Sequence, residues 1–325
     1  MYFVKKNEGI NLEIIDLLID KYFYGRFLED ERFSLNSSKL LMRDNFIDFL
    51  KKDFHNYFLV FDNSNNPCGL MFFKESIWDK EHFGYNVSVI DYVITVQNDY
   101  EKSKQITSIL LKHFDDWCLD KKIKFVTFKI PSKDLAVIHE VENNKFLYIE
   151  NWIYNSFDLR KYKSDNISKL RLRYADKSDE NYMIEFSKGS FNSHRFHADK
   201  MIDINKADSL YEKWIRNAFD DPNQKIVVYD HGKTPSAFMI YRIVDFENYF
   251  NCKFAMWNMG LVNPDLKRMG IGYDFIRALF LLHKKEGIDM IDSGLSIRNI
   301  PSLNWHNKLN FKITSTLVTF HKWYK

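Results

Sequence analysis

The residues most able to do chemistry cluster between positions 254 and 275. An apolar run, 254–261 (FAMWNMGL), leads directly into 262–275 (VNPDLKRMGIGYDF), and an amphipathic helical pattern follows. A strand, a basic turn and a helix start in that order form a cradle for a diphosphate. The first N–H groups of a helix have no intrahelical partner, and the helix dipole favours negative charge at that end. Gly270 and Gly272 let the backbone approach a pyrophosphate with no Cβ in the way, and Lys267 and Arg268 add positive charge. The turn is not a Walker sequence, because no Gly-Lys-Ser/Thr follows. It is not a dinucleotide fingerprint, because a third glycine is missing. With 11 glycines in 325 residues the chain is glycine-poor, which makes a pair two apart on a basic turn less accidental.

The elements that must position this turn recur along the chain. Shifting the sequence by 165 residues aligns its two halves without a gap: 89–96 falls on 254–261, 108–119 on 273–284, and 123–130 on 288–295. The pattern predicts two similar α+β (mixed α/β) domains, each a twisted mixed sheet flanked by helices. They span 1–160 and 168–325, with a polar boundary at 160–168 (RKYKSDNIS). In the second half it predicts strands at 169–174, 226–230, 236–245 and 312–321, and helices at 178–189 and 206–220. The same subtraction turns Gly270 into Gln105, Gly272 into Thr107, Asn299 into Asp134 and His306 into Val141. The first half therefore reads as a copy without the phosphate cradle. Downstream of the turn lies 299–311 (NIPSLNWHNKLNF).

Together these stretches resemble the GNAT superfamily of acyl-CoA N-acyltransferases. Its coenzyme loop is Gln or Arg, two residues, Gly, one residue, Gly or Ala; Lys267 takes the first place here. The second segment, 299–311, resembles the family's Asn, small residue, Tyr and Gly-Phe series that ends a short helix, with Asn299, Ser302, His306, Asn310 and Phe311 in turn. The resemblance implies a helix stop at Asn310, and Asn suits left-handed backbone next best to Gly. The resemblance implies acetyl-CoA, or another short acyl-CoA, as co-substrate. The coenzyme would lie along Met259, Gly260, Leu261 and Val262 and over Lys267, Arg268, Met269, Gly270, Ile271, Gly272 and Tyr273. It implies that His306, in place of the family's Tyr, protonates the leaving thiolate, and that Asn299 holds the coenzyme arm or a water. A thiol has a pKa near ~8.5 and an imidazole near ~6.5, so a neutral His would donate from one ring nitrogen, or a nearby carboxylate would raise its pKa. No general base is selected; His197, Asp245, Glu247 and bulk water all stand open.

Stretches 193–196 (SHRF), 214–218 (WIRNA) and 78–85 (WDKEHFGY) resemble the dTDP-fucosamine acetyltransferase group. That resemblance implies a nucleotide-linked deoxy amino sugar as acceptor, met by Arg195, Phe196 and Trp214. A tandem transferase using another amine or aminoacyl-tRNA, or a non-catalytic acyl-CoA-binding scaffold, is the alternative.

Composition bounds these readings. Lys and Arg number 47 against 44 Asp and Glu, too even a balance for nucleic acid or a membrane as main partner. Three distant cysteines, Cys68, Cys118 and Cys252, give neither a disulfide framework nor metal spacing, so no metal is expected. No apolar run approaches the ~18 residues of a span, and the N-terminal stretch lacks a signal-peptide pattern. The expectation is a cytoplasmic protein, with a homodimer left open.

Overall fold

A computed structural model of the chain describes residues 2–52, 55–95, 99–163, 170–266 and 269–325. They fall into two compact units, Met1–Trp152 with Ser315–Lys325, and Ile153–Thr314. Unit 1 contains β1 (Phe3–Lys6), α1 (Leu12–Asp20), α2 (Leu35–Leu50), β2 (His55–Phe61), β3 (Pro67–Glu75), α3 (Ile77–Phe83), β4 (Val87–Thr95), α4 (Tyr100–Asp120), β5 (Phe125–Pro131), α5 (Leu135–Asn143) and the first half of β6 (Leu147–Asp158). Unit 2 takes the rest of β6, then β7 (Leu172–Tyr174), α6 (Glu180–Ser187), α7 (Arg195–Ala198), α8 (Ile204–Asp220), β8 (Lys225–His231), β9 (Thr234–Asp245), α9 (Glu247–Phe250), β10 (Lys253–Val262), α10 (Ile271–Lys285), β11 (Met290–Ser296), α11 (Ile300–Lys308) and the start of β12 (Lys312–Trp323). Residues 315–325, which the sequence pattern groups with the second half, lie in unit 1, where 317–323 pair antiparallel with β5.

Each unit is a mixed sheet. In unit 1, β1 to β4 are antiparallel neighbours and β4 pairs parallel with β5. In unit 2, β7 to β10 are antiparallel and β10 pairs parallel with β11. Parallel neighbours need a crossover, and α4 and α10 supply it. Each helix presents an apolar stripe to its sheet: Ile106, Leu110, Phe114 and Cys118 in α4, and Phe275, Ile276, Leu279 and Phe280 in α10. Full burial of such side chains contributes about 1.5–3 kcal/mol each, so these stripes fix the crossovers.

The repeat is real in topology but not free of gaps. The offset of 165 holds for β5 and β11, α5 and α11, and β6 and β12. In β4 and β10 the parallel register starts at Val87 and Phe254, an offset of 167. The equivalent of 254–261 is thus 87–94. A slip of two residues preserves the in–out alternation of a strand, which is why the apolar pattern hides it. Helix α11 ends as expected at Asn310, with φ 62°; its counterpart Lys145 has φ 65°. No described helix is long and apolar enough to cross a membrane.

Candidate active site

The wedge between β10 and β11 is the centre of unit 2. Their parallel pairing runs from Phe254–Met290 to Trp257–Ser293 and stops there. Strand β10 continues to Val262, still paired with β9, and β11 continues to Ser296. The cause of the parting lies in β10: an extra residue, Asn258, bulges between Trp257 and Met259. A bulge bends its strand and increases the local twist. Beyond it, the β11-facing edge of β10 opens onto a cavity of about 770 Å³, lined by both strands, by α10 and α11 and by the loop after α6. That volume is within the range of small-molecule sites.

One end of the cavity is the start of α10. Its cap residue is Gly270, with φ 77° and no side-chain cap. The Tyr273 N–H donates to the Gly270 carbonyl at 3.1 Å, so the N–H groups of Ile271 and Gly272, with no partner among the described residues, are the ones left for an anion. A Cβ on Gly270 would meet no heavy atom within 4 Å, so the glycine answers to left-handed backbone rather than to crowding by the protein. On Gly272 it would only touch Val262, at 3.6 Å. Ile271 turns into the core and Met269 is exposed, so both offer only backbone; Tyr273 lines the cavity. Met259, Gly260, Leu261 and Val262 line it from β10. The room left by Gly260 is taken by Met239, whose Cε lies 2.6 Å from a Cβ built there. Lys267 and Arg268 lie outside the described residues.

The apex of the wedge is polar. His306 is 3% exposed and is stacked on Trp305, 3.7 Å between ring centroids. Its Nδ1 is 2.7 Å from the Ser302 carbonyl oxygen, and its Nε2 is 3.0 Å from Ser293 Oγ. Burial, only partly opposed by that carbonyl, lowers its pKa to about 4. Asn299 caps α11: its Oδ1 accepts from Ser302 N at 3.2 Å, and the residue lines the cavity. Trp257 donates from Nε1 to His283 Nε2 at 3.0 Å, so His283 Nδ1 carries the proton held by Glu286 at 3.0 Å. Burial would raise the Glu286 carboxyl, but hydrogen bonds from His283, Lys225, Tyr174 and Tyr241 outweigh it and bring it to about 2. This network fixes the plane of Trp257 against the cavity.

The acceptor side differs from the sequence reading. Trp214 lines the cavity, but Phe196 is 3% exposed and in the core, and Arg195, lying over its ring, is likewise not a lining residue. The wall is built instead by Phe191, His194 and Tyr211 beside Trp214, with Phe191 and Tyr211 stacked at 4.7 Å. Of the candidate bases, His197 pairs with Asp208 at 2.8 Å, away from the lining. Asp245 and Glu247 sit at the other end of β10, where Asp245 faces Lys253. Among the described lining residues there is no Asp or Glu, while Lys188 and Arg298 bring positive charge. Ser293 and Trp257 were not legible as site residues: their places depend on strand pairing, and no local spacing marks them.

No family model matches the sequence, and no curated protein matches it. Solved structures do share its architecture. A GCN5-related N-acetyltransferase from Sphaerobacter thermophilus superposes with TM-score 0.62 at 8% identity, over 99% of this chain and 95% of that one. A tandem GNAT protein from the clavulanic acid biosynthesis pathway gives 0.58 at 10%, over 99% and 98%. A GNAT-family acetyltransferase from Colwellia psychrerythraea gives 0.51 at 12%, over 98% and 99%. The chain therefore has the fold of the tandem GCN5-related N-acetyltransferases.

Proposed function

We propose that unit 2 transfers an acetyl or other short acyl group from acyl-CoA to a primary amine. The observation that carries this reading is the wedge itself: an unpaired strand edge on β10 leads to the uncapped, left-handed start of α10. A pantetheine arm can add to that edge as a strand would, and the diphosphate then meets free N–H groups. Lys267 and Arg268, by their place in the sequence just before Gly270, would add charge. The residues fit the coenzyme: Gly270 and Gly272 bring no Cβ to the cradle, the Ile271 side chain turns into the core, and the cavity is large enough.

The acceptor in this proposal is a nucleotide-linked deoxy amino sugar. Aromatic faces at Phe191, Tyr211 and Trp214 suit a base or sugar ring, and Lys188 and Arg298 suit its phosphates. The lack of a lining carboxylate among the described residues suits an acceptor that is anionic overall. Three free, buried cysteines accord with a reducing compartment such as the cytoplasm.

Two measurements test the proposal. Acetyl-CoA should raise the melting temperature of the full chain, and thiol should be released when a dTDP-linked amino sugar is added. Binding without release for any amine would make the protein a coenzyme-binding scaffold. No binding would remove the reading.

A further inference from the structure

The wedge closes on a pair whose proton positions the geometry decides. A carbonyl oxygen only accepts, so the 2.7 Å contact between Ser302 O and His306 Nδ1 places the ring proton on Nδ1. His306 Nε2 is then an acceptor, and the Ser293 hydroxyl, 3.0 Å away, donates to it. His306 thus does not aim a donor at the cavity; it aims a base, through Ser293. Both residues line the cavity, and Ser293 is the last residue of β11 paired to β10. With no carboxylate among the described lining residues, an attacking amine finds its proton acceptor here.

We propose that Ser293 and His306 form one proton shuttle that serves both halves of the transfer. This rests on the acyl-thioester reading above. As the C–N bond forms, the Ser293 hydroxyl takes a proton from the attacking nitrogen and passes its own to His306 Nε2. As the C–S bond breaks, His306 returns that proton to Ser293, and Ser293 delivers one to the departing sulfur. One proton leaves nitrogen and one reaches sulfur; both side chains end as they began. The Ser302 carbonyl positions the shuttle by holding the tautomer in both stages. Burial keeps the resting ring neutral and makes the imidazolium a strong acid, so it releases its proton readily to a thiolate whose thiol has a pKa near ~8.5.

The experiment compares the full-length wild type with Ser293→Ala and His306→Gln. In nitrogen-15 histidine spectra the wild-type His306 should be the neutral Nδ1–H tautomer at pH 7, and Ser293→Ala should move the Nε2 resonance alone. An Nε2–H tautomer would overturn the shuttle without any activity measurement. Acetyl-CoA affinity by calorimetry should stay within about twofold in both variants. The kcat for thiol release, with a dTDP-linked amino sugar or with water as acceptor, should fall about 100-fold or more in each, at unchanged KM for acetyl-CoA. The double variant should be no slower than the worse single one. Wild-type kcat in Ser293→Ala sinks the proposal, and that milder variant decides the matter if His306→Gln fails to fold. An acyl group found on Ser293 by peptide mass would replace the shuttle with a covalent route. If the wild type binds acetyl-CoA but never releases thiol, the transferase reading falls and the shuttle with it. If the wild type turns over and Ser293→Ala does too, the shuttle alone falls.

Discussion

The same two places in the two units hold opposite chemistry. At the offset of 165, Ser293 and His306 of unit 2 correspond to Phe128 and Val141 of unit 1, which are 2% and 0% exposed and belong to its core. The bulge is common to both: Asp91 on β4 and Asn258 on β10 match at the strand offset of 167, each one residue after the last parallel pair. The helix start is not. Helix α10 begins at Ile271, which maps to 106, whereas α4 begins at Tyr100, six residues sooner, and its N-terminus is capped by the Asp99 carboxylate. Gln105 and Thr107 therefore do not stand on a turn at all. They lie inside α4, where the Thr107 hydroxyl donates to the Ser103 carbonyl. A repeated fold keeps its strand geometry, while one helix start and a few side chains separate a polar, open wedge from a packed core.

That comparison can be broken or sharpened by exchange. Putting the residues of unit 1 into unit 2, Ser293→Phe with His306→Val, should lower acyl transfer more than about 1000-fold. Retention of a tenth of the activity in a thiol-release assay would mean these places do not distinguish the units. Next in size is a pH effect. His306 titrates near 4 when folded and near ~6.5 when unfolded, so between those values only the unfolded chain binds the proton. Stability should fall as pH drops from about 6.5 to about 4, by roughly 3 kcal/mol for this group, and His306→Gln should flatten that part of a denaturation–pH profile. Gly270→Ala should lower stability by about 1–2 kcal/mol through its left-handed backbone. It should also weaken acetyl-CoA in calorimetry; unchanged affinity would detach this turn from the ligand. Removing the cap of the other helix, Asp99→Ala, should cost about 1 kcal/mol in chemical denaturation and leave acetyl-CoA affinity as it was. Exposed Gln105→Val should change neither by more than about 0.5 kcal/mol.

The sequence was most informative where function depends on backbone. The strand–turn–helix order, the glycine at a left-handed cap and the Asn310 helix stop are local properties, set by neighbours within a few residues. The doubled fold was legible because apolar period survives when identity does not. What could not be read was non-local. Ser293 meets His306 only because β11 and α11 pack side by side, and a serine thirteen residues from a histidine has no periodic signature. Phe196 and Arg195 illustrate the reverse error: a short stretch with aromatic and basic residues fits a ligand surface or a core equally well, and burial chose the core for Phe196. The gapless register failed for the same reason that it looked convincing, since strand alternation cannot detect a shift of two.

The final strand has an implication for how the molecule is made. Residues 317–323 zip onto β5, and Lys322 and Tyr324 both reach Asp115 in α4. Unit 1 thus waits for residues 315–325 to be synthesised before the edge of β5 is paired, although residues 1–152 precede all of unit 2. Disrupting residues 315–325 would loosen unit 1, whose other residues lie more than 160 positions earlier, while unit 2 keeps every element of its wedge.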